Sequence, residues 1–163
     1  MKIDSMTKHI EEVLAGSFLV CMIVLVITNV FLRYFTYYSI YWAEEVATIC
    51  FVWAVFLGAS ATYKRKLDIG IDFLVKKASV RLQIFIRLIT TFFLLALNLY
   101  ILSISILFTV ISVEKPTAVL GISSAVVNSA LIVSFSFISW HSLGFFIKGL
   151  RQVQKTFDDK GEL

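Results

Sequence analysis

Charged residues are scarce in this chain, proline occurs once, and glycine occurs seven times in 163 residues. A soluble domain carries about 25% charged residues. Here the charged fraction is 16%, 59% of the residues are hydrophobic, and the mean hydropathy is +0.88. Such a composition excludes a disordered or collagen-like chain and argues against a soluble globular enzyme. With so few breakers, long continuous elements are expected. Cysteine is also rare: Cys21 and Cys50 both lie inside apolar runs. Two such residues make neither a disulfide scaffold nor a metal site, and each reads as a small buried apolar side chain.

What the chain does have is uncharged length. Val13–Leu32 (20 residues), Val46–Tyr63 (18), Leu88–Val113 (26) and Pro116–Ile147 (32) contain no Asp, Glu, Lys or Arg. About 20 residues of helix cross 30 Å of hydrocarbon. The runs are continuous rather than alternating, which excludes a β-barrel. The fold class expected is an all-α membrane protein, one four-helix transmembrane domain over residues 1–163. Its helices are expected over about residues 13–35, 44–63, 86–113 and 123–147. Pro116 and Gly121 break the start of the fourth run, so that stretch is read as a loop. The first run is longer than the h-region of a signal peptide, about 7–15 residues, and no A-x-A-like site follows it; it reads as a retained helix.

The net charge of +4 would suit nucleic acid only if the cations shared a soluble face. They instead flank the runs. Thirteen of the fifteen Lys and Arg lie on the two tails and the second loop, and only Arg33 and Lys115 lie on the other loops. Basic segments stay cytoplasmic, so both termini are expected in the cytoplasm. Four crossings require the same.

The second loop has its own periodicity. Ile71, Leu74, Val75, Ala78, Leu82, Phe85 and Ile86 share one helical face, while Asp72, Lys76, Ser79, Gln83 and Arg87 form a polar stripe. An amphipathic helix lying in the membrane interface is expected over about residues 70–80, with Ile71, Asp72, Leu74, Lys76, Lys77 and Ala78 along it. It would brace the subunit in the membrane plane, with its cations toward lipid headgroups. An N-terminal extension of the third helix is the other reading of these residues.

Ionisable groups inside a membrane are the usual carriers of transport chemistry. His141, beside Trp140, is the exception in these runs and reads as a polar residue near the cytoplasmic end of the fourth helix. A haem would need two axial ligands, and the second histidine, His9, lies in the tail. A small multidrug exporter would need an acid within the first membrane run, and Val13–Leu32 has none; nor does an inverted repeat relate the two halves. No catalytic, cofactor-binding or metal-binding residue is therefore expected, which points to an accessory membrane subunit.

The end of the first hairpin is distinctive. Asn29 and Arg33 stand one turn apart, followed by Tyr34, Tyr37, Tyr38, Tyr41 and Trp42, and then by Glu44 and Glu45 at the start of the second helix. Aromatics suit the interfacial belt, and carboxylates suit a helix N-terminus. Arg33 could pair with one of the glutamates. An anchor-and-cap role and a role in meeting a partner subunit both fit. Ala47, Cys50, Ala54, Gly58 and Ala61 add a stripe of small residues on the second helix, which permits close helix approach.

These features resemble a family. Arg33, Trp42-Ala43-Glu44-Glu45, Phe56-Leu57-Gly58-Ala59, Tyr63-Lys64-Arg65-Lys66 and Ile69-Gly70-Ile71-Asp72 are similar, in that order and spacing, to the small membrane subunit of tripartite ATP-independent periplasmic (TRAP) transporters. The stretch Pro116 to Ser123, with its Gly-Ile-Ser ending, resembles the sialic-acid branch. The resemblance implies a bacterial inner-membrane symporter. In it, a large permease subunit would carry the substrate and Na⁺ sites and move as an elevator, and a periplasmic solute-binding protein would deliver an organic acid anion. This chain would be the fixed scaffold, with Arg33, Trp42, Glu44, Glu45 and Gly58 at partner-facing or structural positions. A stand-alone four-helix carrier and a membrane anchor of a respiratory complex are the competing expectations.

Overall fold

The first apolar run lies within a single helix, α1 (Ile3–Thr36), 34 residues long. At 1.5 Å per residue it spans about 51 Å, well beyond the hydrocarbon thickness. The computed structural model describes the backbone of residues 3–75 and 80–158 and the side chains of residues 10–64 and 82–153. Three more helices follow: α2 (Ala43–Val75), α3 (Val80–Ile111) and α4 (Ala125–Asp158). All four are long and apolar enough to cross a membrane, over Ile10–Thr36, Ala43–Lys64, Leu82–Ile111 and Ala125–Val153.

Local chemistry sets the helix ends. Thr36 Oγ1 donates to the Leu32 carbonyl at 2.6 Å. Tyr37 then takes a φ of 56°, the left-handed conformation that commonly closes a helix. The Ile40 N–H donates to Asn29 Oδ1 at 2.9 Å, fastening the turn back onto α1. The Trp42 carbonyl accepts the Val46 N–H at 3.1 Å, and Glu44 and Glu45 fill the first turn of α2. At the start of α4, Ser123 Oγ accepts the Ala125 N–H at 3.2 Å and donates to the Val113 carbonyl at 2.7 Å.

The apolar run ending at Tyr63 is shorter than its helix. α2 continues without a break to Val75, because leaving the hydrocarbon removes no backbone hydrogen bond and no proline stops it. Ile71, Asp72 and Leu74 are on that helical backbone, with side chains outside the described residues. Lys76, Lys77 and Ala78 lie outside the described residues altogether.

The chain packs as two hairpins. α1 lies along α2 and α3 along α4, and the hairpins meet chiefly where α2 faces α4. Among the described residues no Cα of α1 comes within 8 Å of α3 or α4. α2 is the central helix, burying Ala43, Ala47, Cys50, Ala54, Leu57 and Ala61. Small side chains let backbones approach, which in lipid replaces the hydrophobic drive between helices. α4 answers with Ala130, Ser134 and Ile138, all buried, and the Ser134 hydroxyl donates to the Phe56 carbonyl of α2. Gly58 behaves differently from the rest of the stripe: a Cβ there would meet nothing within 4 Å.

Within the first hairpin, Cys50 Sγ lies 3.9 Å from Cys21 Sγ. A membrane-permeable oxidant is therefore expected to join them within one chain, giving a reducible, faster-migrating band on gel electrophoresis that Cys21→Ser removes. Cross-links only between chains, or none, would contradict this packing of α1 on α2.

Candidate functional site

Two polar constructions stand out in an otherwise apolar molecule. The first is at the end where the α1–α2 turn and the α3–α4 loop lie together. The loop is a narrow hairpin in which Pro116 pairs antiparallel with Ser123. The Thr117 N–H donates to the Ile122 carbonyl at 2.7 Å, and the Ser124 N–H donates to the Lys115 carbonyl at 2.8 Å. Gly121 closes it at a φ of 66°, where a side chain would be strained. This turn presents two successive amides, a concavity suited to an anion.

Glu45 fills that concavity. Its Oε2 accepts the N–H of Val119 at 2.8 Å and of Leu120 at 3.1 Å, and the Thr117 hydroxyl is buried beside it. A carboxylate at the start of α2 thus shapes a loop 74 residues further along the chain. Nearby, Trp53 Nε1 donates to the Val126 carbonyl at 3.3 Å, and its ring stacks on Phe18 at 5.5 Å, linking α1, α2 and α4. Around this frame Tyr34, Phe35, Tyr37, Tyr38 and Tyr41 are exposed, as are Val119 and Leu120.

The structure brings Glu45 into this site and leaves its sequence neighbours outside. Glu44 is exposed on the first turn of α2, and Arg33 is exposed on the last turn of α1. Among the described residues, Arg33 forms no ion pair with either glutamate; the Glu45 carboxylate goes to backbone amides instead. Trp42 is partly exposed and supplies the carbonyl that starts α2.

The second construction was not anticipated from the sequence. Glu11, buried near the start of the α1 span, uses both carboxylate oxygens: Oε1 lies 2.9 Å from His141 Nε2 on α4, and Oε2 accepts the Ser60 hydroxyl of α2 at 2.9 Å. Alongside it, the Tyr63 hydroxyl donates to Ser142 Oγ at 3.3 Å and accepts from Asn98 Nδ2 of α3 at 3.1 Å. Among the described residues, no group of three or more His, Cys, Asp or Glu could hold a metal ion.

Four membrane-length helices, held together by small residues and a few interhelical hydrogen bonds, define a multi-pass helical membrane protein. Residues 22–152 match the family model described as tripartite ATP-independent periplasmic transporters, DctQ component, and the chain belongs to that family. Its members are transport components, not enzymes. The C4-dicarboxylate TRAP transporter small permease protein DctQ of Vibrio cholerae serotype O1 is 35% identical over 101 residues. That match covers 62% of this chain and 44% of the relative, so the chain spans less than half the length of this relative. The family is the one that the motifs from Arg33 to Asp72 resemble.

Proposed function

We propose that this chain is the non-transporting scaffold subunit of a TRAP transporter that takes up C4-dicarboxylates. It sits in the bacterial inner membrane with both termini in the cytoplasm and braces a large elevator-type permease subunit. That partner carries the solute and the coupling Na⁺. The aromatic end shaped by Asn29 and Glu45 faces the periplasm and meets a solute-binding protein. The excess of Lys and Arg on the tails and second loop supports this orientation. The name of the Vibrio relative supports C4-dicarboxylates as cargo, whereas the Pro116–Ser123 resemblance favours sialic acid, the second reading.

One chemical observation carries the scaffold reading. The four uncharged runs hold no acidic or basic side chain apart from His141, and His141 is engaged with Glu11. A carrier needs groups that bind solute or ion at membrane depth and release them; these are committed to joining helices. Uptake into vesicles by the three components together, against uptake by this chain alone, tests the reading, and competition between succinate and sialic acid decides the cargo.

A further inference from the structure

A carboxylate within a membrane-spanning bundle is unfavourable unless its oxygens find partners. Glu11 finds two, and they belong to different helices. This matters because α1 is an edge helix: its backbone approaches α2 and, among the described residues, neither α3 nor α4. The Glu11 carboxylate reaches past α2 to α4. Next to this cluster in sequence on α2 and α4, Tyr63 of α2 joins Ser142 of α4 and Asn98 of α3. Ser60 and Ser142 are fully buried, and Glu11 and Asn98 nearly so. The four helices therefore contribute to two neighbouring polar clusters, one joining α1, α2 and α4 and the other joining α2, α3 and α4, in lipid surroundings where packing and such hydrogen bonds do the joining.

We propose that Glu11 is a positioning residue that clamps the two helical hairpins into one rigid body through Ser60 and His141. The inference deepens the scaffold reading and rests on it: a support for a moving subunit must not let its own hairpins slide. Glu11 has no part in binding solute or coupling ion. Its effect on transport is transmitted through the relative position of α1 and α4.

A mutant cycle on the purified full-length chain tests this in a Cys21→Ser background, which removes the exposed thiol, with thermal unfolding read by a thiol-reactive fluorophore that labels buried Cys50 once the helices part. Glu11→Ala and His141→Ala are each expected to lower the folding equilibrium constant about threefold. The double variant is expected to be no worse than either single one, because each already breaks the same contact. Glu11→Gln, which keeps an acceptor oxygen, restores most of the loss. Should Glu11→Ala fail to accumulate, the cycle is run on Ser60→Ala and His141→Ala, which flank the carboxylate and are expected to be coupled through it. In the assembled transporter, Glu11→Ala lowers the maximal uptake rate and leaves the apparent KM unchanged. Additive effects of Glu11→Ala and His141→Ala, or no effect of either, overturn the clamp. A loosened chain that still supports full uptake overturns instead the scaffold reading on which the clamp rests.

Discussion

Replacing Glu45 with alanine is expected to release the loop between α3 and α4 from the start of α2. The loop has no apolar core of its own; Val119 and Leu120 are exposed, and their amides are held by one carboxylate oxygen. Without it, the hairpin keeps the Pro116–Ser123 pairing but loses its tie to the first helical hairpin. Limited proteolysis within residues 115–124 should then be faster by about tenfold. Capture of the solute-binding protein by the membrane complex should fall in parallel. Glu45→Gln, retaining one acceptor oxygen and losing the charge, should lie between wild type and Glu45→Ala. A Glu45→Ala chain as protease-resistant as wild type would show that the loop is held by other means. A strong shift in Na⁺ dependence with Glu45→Gln would contradict the separation of scaffold from carrier.

The second large effect concerns the seam between the hairpins. Ala130 is fully buried, one turn before Ser134, whose hydroxyl reaches the Phe56 carbonyl of α2. Val126, one turn earlier, takes the Trp53 indole N–H on its carbonyl. This face of α4 thus meets α2 over several turns, with the small side chains of Ala130 and Ser134 buried along it. Ala130→Phe should overpack it, at a cost of about 1–3 kcal/mol, and separate α2 from α4. The expected readout is a lowered thermal unfolding midpoint and low recovery from detergent. Ala59→Phe, on an exposed position of α2, is the control and should behave as wild type. Equal stability of the two variants would contradict the packing of α4 on α2.

Much of the fold could be read in the sequence, because membrane spans announce themselves by length. Each uncharged run supplies a helix long and apolar enough to cross the membrane, the fourth only from Ala125 onward. What run length does not reveal is where a helix stops, since charge marks the exit from hydrocarbon rather than the end of backbone hydrogen bonding; α2 runs on to Val75 for that reason. The site was legible only in part. The position of Glu45 at a helix start could be seen, but its partners are backbone amides in a distant loop, and amides leave no trace in side-chain pattern. The nearby Arg33 offered the wrong pairing. Glu11 lies two residues before an uncharged run, where nothing in the sequence distinguishes it from a polar tail, and His141 is the one histidine within the runs. Contact between residues 130 positions apart depends on how the hairpins face each other, which local periodicity does not encode.

On the proposed reading, this chain supports transport without performing it. The most direct measurement is uptake of radiolabelled succinate into vesicles under a Na⁺ gradient, reconstituted either with the purified chain alone or with the large subunit and solute-binding protein added. The expected result is background flux for the chain alone and saturable, Na⁺-driven uptake for the complete set. Saturable uptake by the chain alone would contradict the claim.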